Sequence, residues 1–270
     1  MEKYEGGAKK PFFVYWTILF VYVASFLILS QLIKPAGEIM VRDFFYAITG
    51  VTTVIVLTTA AIKSQGADKP VWSLIAIAGI CWSLGDVIMR VCELTGIFGP
   101  VRTLCVADVF YQIAYISLAF VVVNLARLTN DRKIHADWAR FYPLALFITV
   151  TLISTAMAYF LPNGLAGELG ARTGLRIEMI VNYIYPALDF GIVAGLLLIL
   201  FTHRIPFRKT WHEVLIFGLS IFTVADISYS LFKPAGIYDP ASLPTQVIMA
   251  IWLTSYGVMI MAAVYKLNET

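Results

Sequence analysis

Apolar residues fall along this chain in long blocks, with no alternating pattern. Eight stretches, at about 12–33, 44–62, 70–92, 105–126, 142–161, 178–202, 211–232 and 246–265, hold little besides aliphatic and aromatic side chains. A hydrocarbon core about 30 Å thick takes about 20 helical residues to cross. The blocks have that length, not the roughly ten-residue alternation of barrel strands. The pattern predicts an all-α integral membrane protein of eight transmembrane helices, with no soluble domain between them. The first block follows Lys9 and Lys10 as a secretory signal would. It exceeds a signal's apolar stretch, however, and no small-x-small cleavage site follows it, so a retained first helix is expected.

Composition strengthens this picture. Of 270 residues, 60% are hydrophobic and 14% charged, against about 25% charged in soluble domains. The net charge of +3 says nothing of nucleic acid, because Lys and Arg are distributed as membrane insertion requires. With the N-terminus inside, 13 of the 20 Lys and Arg fall on the inner side and 7 on the outer. The excess predicts both termini on the cytoplasmic side of a cell membrane. Three cysteines, Cys81, Cys92 and Cys105, have no metal-ligand spacing. A Cys92–Cys105 disulfide and buried thiols both remain open.

Repetition is the next signal. Asp86 recurs as Asp226, and Gly96-Ile97-Phe98-Gly99-Pro100 recurs at the same offset as Gly236-Ile237-Tyr238-Asp239-Pro240. One residue further on, Tyr111 matches Trp252 and Ala114-Tyr115 matches Ser255-Tyr256. Blocks three and four thus match blocks seven and eight. Four helices separate the copies, so both have the same orientation, related by a two-fold axis along the membrane normal. The expected organisation is two parallel four-helix repeats, 1–133 and 134–270, within one membrane domain.

The charged residues inside the apolar blocks carry the chemistry. An Asp at the centre of a spanning helix costs about 2.5–3.5 kcal/mol on insertion scales, and this chain places Asp86, Asp189 and Asp226 within blocks and Asp108 at the start of one. Asp86 and Arg90 are one helical turn apart and can form a structural ion pair. Asp108 can be a plain N-cap. Glu93 and Asp239 can simply face water. Asp189 has no cation within a turn, and intramembrane acids of that kind face a bundle interior or a wet cavity. Aromatic hydroxyls accompany the acids at helical spacing: Tyr111 and Tyr115 beyond Asp108, Tyr185 before Asp189, and Tyr229 after Asp226. Pro186 inside the sixth block frees a backbone carbonyl near Asp189. The three histidines, His135, His203 and His212, lie beside basic segments at the predicted headgroup level, away from the acids. Metalloprotease, hydrolase and nucleotide motifs are absent from the sequence, and nothing in it names a cofactor.

These motifs, in this order, resemble the eight-helix membrane input domains that precede diguanylate cyclase (GGDEF) and histidine kinase modules in prokaryotic signalling proteins. The residues concerned are WSLGD (82–86), ADVFYQIAY (107–115), YPALD (185–189), ADISY (225–229) and GIYDPAS (236–242) with Trp252 and Tyr256. The resemblance covers most of 70–265. It implies a sensor whose ligand contacts include Asp86, Asp108, Tyr111, Tyr115, Tyr185, Asp189, Asp226, Tyr229, Trp252 and Tyr256. Met249 stands where the family has an acid, which makes the site asymmetric, and the sequence ends at KLNET, which implies a separate cytoplasmic partner.

The expected function is therefore a non-enzymatic membrane sensor with an outward-facing acidic, aromatic-lined pocket between two repeats. A small-solute or cation transporter and a structural subunit of a membrane complex are the alternatives.

Overall fold

A computed structural model describes residues 9–33, 38–95, 105–129, 173–202, 210–232 and 242–269. They form seven α-helices and one 3-10 turn, and no strand occurs among them. The helices are α1 (Lys9–Leu32), α2 (Glu38–Lys63), α3 (Lys69–Thr95), α4 (Val106–Thr129), α5 (Thr173–Thr202), α6 (Thr210–Phe232) and α7 (Leu243–Asn268), with the 3-10 turn at Gly66–Asp68 before α3. Six of them are long and apolar enough to cross a membrane, and Ile184–Leu200 of α5 is a shorter apolar stretch. The expected fifth span, 142–161, lies outside the described residues, as do Asp239, the side chain of Glu93 and both GIxxP segments. Thus α5, α6 and α7 correspond to the sixth, seventh and eighth apolar blocks.

Several helices outrun the blocks that predicted them. α2 begins at Glu38 and α7 at Leu243, because the backbone ladder continues through the polar headgroup zone once the apolar part has nucleated it. The start of α7 is fixed by Ser242, whose hydroxyl accepts from the Thr245 amide, with Pro244 in the first turn. α4 begins differently from the plain cap expected at Asp108. Cys105 holds the capping position and its Sγ accepts from the Ala107 amide at 3.2 Å. Asp108 sits three residues on and reaches back to the Cys105 amide at 3.0 Å, the reciprocal arrangement of a capping box.

The packing of neighbours closes a ring. α2 lies against α3, α3 against α4, α4 against α5, α5 against α6, α6 against α7, and α7 returns to α2, with α1 outside against α7 and α2. The most extensive pairings are α3 with α4 and α6 with α7. Gly218 lets α6 approach α7 closely: a Cβ there would lie 3.2 Å from the Met259 backbone nitrogen. The outer surface of the ring is apolar, with Phe13, Phe20, Leu32, Ile62 and Leu94 all largely exposed. A surface of this kind suits hydrocarbon and not water.

Two ion pairs mark opposite ends of the ring. At the start of α3, Asp68 Oδ2 meets Lys266 Nζ of α7 at 2.6 Å, with both side chains almost wholly buried. Near the other end of α3, Arg90 meets Asp43 Oδ2 of α2 at 2.7 Å. Toward the Asp68–Lys266 end the interior is filled by Trp72 and Trp211, both fully buried with ring centroids 5.1 Å apart. Leu118, Leu125, Leu215, Ile216 and Leu219 complete the packing there. His212, in the first turn of α6, is buried and stacked on Trp211 at 3.8 Å. His135 and His203 lie outside the described residues.

Candidate functional site

Polar side chains gather in the half of the ring toward Arg90, and a glycine makes the first contact possible. A Cβ on Gly85 would lie 2.5 Å from Cε1 of Tyr111, so the ring can lie flat on α3 only because residue 85 has no side chain. From there the Tyr111 hydroxyl donates to Asp86 Oδ1 at 2.8 Å. The expected Asp86–Arg90 pair is therefore not formed. Both residues are on α3 one turn apart, but Asp86 turns toward α4 and Arg90 toward Asp43 of α2.

On α6 and α7 the same relation appears between other residues. Trp252 Nε1 donates to Asp226 Oδ1 at 2.5 Å. Tyr229, one turn from Asp226, rests its ring 5.5 Å from that of Trp252. Between the two helix pairs lies Tyr115, almost wholly buried, whose hydroxyl oxygen is 2.6 Å from Asp226 Oδ2 and 3.0 Å from Asp189 Oδ1. Asp189 has no exposed surface, and its Oδ2 has no hydrogen-bond partner. Tyr185, one turn before Asp189 on α5, donates to Asp108 Oδ1 at 2.8 Å. Asp108 thus caps α4 with one oxygen and ties α4 to α5 with the other. The Tyr185 ring lies 5.7 Å from that of Tyr115 and 6.5 Å from that of Tyr111.

Beneath the acids the floor is aromatic. Trp82 and Phe222 approach to 4.3 Å between centroids, and Tyr256 packs against both at 6.2 and 5.9 Å. All ten residues singled out from the sequence belong to this one region. Exposure falls along it, from Asp86 at the surface through half-buried Asp226 to Asp189 in the interior. Compared with protein-family models, curated proteins and solved structures, the chain matches none.

A separate cavity of about 340 Å³ runs along α1, lined by Phe13, Trp16, Thr17 and Phe20. It is apolar, opens on the exposed surface of α1 and includes none of the acids. Cys81, Cys92 and Cys105 are free thiols. Among the described residues no three His, Cys, Asp or Glu side chains assemble as a metal site.

Sequence reasoning did not find Asp43 as the partner of Arg90, Trp82 and Phe222 as the aromatic floor, or the Asp68–Lys266 pair. Trp82 carried a signal, since it lies one turn before Asp86. The ion pairs carried none, because each joins residues far apart in the chain whose neighbours are unremarkable.

Proposed function

We propose that this chain is a non-enzymatic membrane sensor that binds its ligand among Asp86, Asp226 and the aromatic residues around them, and passes the signal to a cytoplasmic partner. One observation carries the reading: Asp86, Asp108, Asp189 and Asp226 are joined through Tyr111, Tyr115 and Tyr185 in one half of the ring, whereas in the other half Trp72 and Trp211 fill the interior and the buried acid Asp68 is tied to Lys266. A site with one polar approach and a packed floor suits binding from one side. Alternating access would need an open polar path through the second half as well, and there Trp72, Trp211 and aliphatic side chains pack the interior, with the buried charges Asp68 and Lys266 tied to each other.

The two-fold repeat supports the same reading. Exchanging α2 with α5, α3 with α6 and α4 with α7 leaves the order of neighbours around the ring unchanged. Under that exchange Tyr111 donating to Asp86 corresponds to Trp252 donating to Asp226, and Trp82 faces its own counterpart, Phe222. The site then lies on the junction of repeats 1–133 and 134–270, where small-molecule sites between helix bundles are commonly found. Both termini are cytoplasmic in this reading, which puts the acids on the outer side and Lys266 with the basic inner segments. The resemblance to input domains of prokaryotic signalling proteins supplies the partner class, a cytoplasmic output module.

Net acidity and stacked rings favour a small cationic or hydrogen-bonding ligand. Native mass spectrometry of the protein released from mild detergent tests this directly. A small molecule is expected on the parent and lost from Asp86→Asn, which keeps the shape of the site and removes its most accessible charge. Bare protein in both spectra would refute the binding reading, and an obligate membrane subunit carried along would favour the structural alternative.

A further inference from the structure

The contacts of Tyr115 contain a proton count. A phenol has one O–H, yet its oxygen lies within hydrogen-bond distance of two carboxyl groups, 2.6 Å from Asp226 and 3.0 Å from Asp189. If both acids were ionised, one of these contacts would set a lone pair of the phenol against an anion. A second hydrogen resolves it.

The geometry also says where that hydrogen sits. Asp226 accepts at both oxygens, from Trp252 Nε1 at 2.5 Å and from Tyr115 at 2.6 Å. An O–H donor to an ionised carboxylate falls at about 2.5–2.7 Å, so Asp226 has the surroundings of the anion. Asp189 has the opposite surroundings: it is fully buried, its one bond is the longer, and Oδ2 accepts nothing. An ionised carboxylate placed so would leave most of its lone pairs without donors. No Lys, Arg or His of the described residues forms a salt bridge with either acid. A metal ion is a poor substitute, since hard cations require about six oxygen ligands and no such cluster forms among the described residues.

We propose that Asp189 and Asp226 form a binding site for one proton, resident on Asp189 Oδ1 and linked through the Tyr115 hydroxyl to Asp226. Asp189 O–H donates to the phenol oxygen, and the phenol O–H donates to Asp226 Oδ2. This deepens the proposed function and rests on its reading of the acids as a binding site, with the proton as the occupant of the innermost part. The relay joins four helices: α4 through Tyr115, α5 through Asp189, α6 through Asp226 and α7 through Trp252. Its surroundings are acids and phenols: Asp86 with Tyr111 toward α3, Asp108 with Tyr185 toward α5, and Tyr229 and Tyr256 on α6 and α7. Withdrawing the proton sets two anions against one hydroxyl, and the four helices have to move to separate them. The proton is thereby coupled to the arrangement of the ring.

Infrared spectroscopy of the protein in lipid nanodiscs, in H2O and in D2O, tests this. The parent is expected to show the C=O stretch of a protonated carboxyl, moved by deuteration and lost in Asp189→Asn. Tyr115→Phe and Asp226→Asn should move that band without abolishing it, because each breaks the chain and leaves Asp189 in place. Asp86→Asn should leave it untouched. No protonated-carboxyl band in the parent, a band that survives Asp189→Asn, or a band indifferent to Tyr115→Phe would each overturn the proposal. Tyr115→Phe retains both acids and so does not depend on the acid variants folding. A missing band with ligand still bound to the parent would refute the proton and leave the sensor reading standing.

Discussion

At the residue scale, the site depends on what residue 85 lacks. Tyr111 occupies the space a Cβ would take, and its bond to Asp86 exists only while the ring lies there. Gly85→Ala is expected to push the ring off α3 and lose the bond, at about 1–3 kcal/mol from overpacking. Tyr111→Phe keeps the ring and loses the exposed hydrogen bond to Asp86, about 0.5–1.5 kcal/mol. Because both changes remove the same contact, their effects should not add. A double-mutant cycle read by thermal unfolding in detergent checks this, and additive losses would show that the glycine serves something other than Tyr111. The Gly-Asp pair was legible in the sequence as part of WSLGD, and so was Tyr111 through its spacing from Asp108. What could not be read was that the two belong together, since they lie on different helices and only packing brings them into contact. Asp108 shows the same limit. Its place at a helix start was legible, but its dual bonding was not, because Cys105 gave no sign of taking the capping position.

At the element scale, the apolar blocks revealed the helices because burial in lipid leaves the backbone no partner but itself, so every spanning stretch must be helical. What the blocks hid is how helices are tied at their ends. Asp68 and Lys266 are each at the end of a block and look like ordinary solvated charges, yet they meet at 2.6 Å and are almost wholly buried, with the ammonium 5.9 Å from the centre of the Trp211 ring. Breaking a buried pair from one side leaves an unpaired charge and costs about 3–5 kcal/mol, whereas replacing both partners by apolar residues is often neutral. Asp68→Leu, which leaves the Lys266 ammonium without this carboxylate, is therefore expected to lower the unfolding temperature in detergent sharply, and the double variant Asp68→Leu, Lys266→Met to recover most of the loss. Equal losses in the single and double variants would mean that the pair is solvated and does not clamp α7 to the start of α3.

For the whole molecule, the ring divides into a half where acids and aromatic hydroxyls meet and a half closed by the Trp72–Trp211 contact, and the proposed sensor and its transport alternative predict different behaviour of that division. A transported ion must leave by the end opposite the one it enters. Here that end is occupied by the Trp72–Trp211 contact, with Leu118, Leu125 and Leu215 around it, all fully buried. Beyond Asp189 the next large buried side chains along α5 are Ile192, Leu196 and Ile199, which offer a proton arriving from the side of Asp86 no relay on that helix. Liposomes carrying the protein and an internal pH-sensitive dye should therefore hold an imposed pH gradient as well as empty ones, and Asp189→Asn should make no difference. A leak in the parent that Asp189→Asn abolishes would make Asp189 part of a conduction path and move the function to transport. A held gradient leaves binding without passage, in which the energy of occupancy has one outlet, the relative positions of the helices that Tyr115 joins.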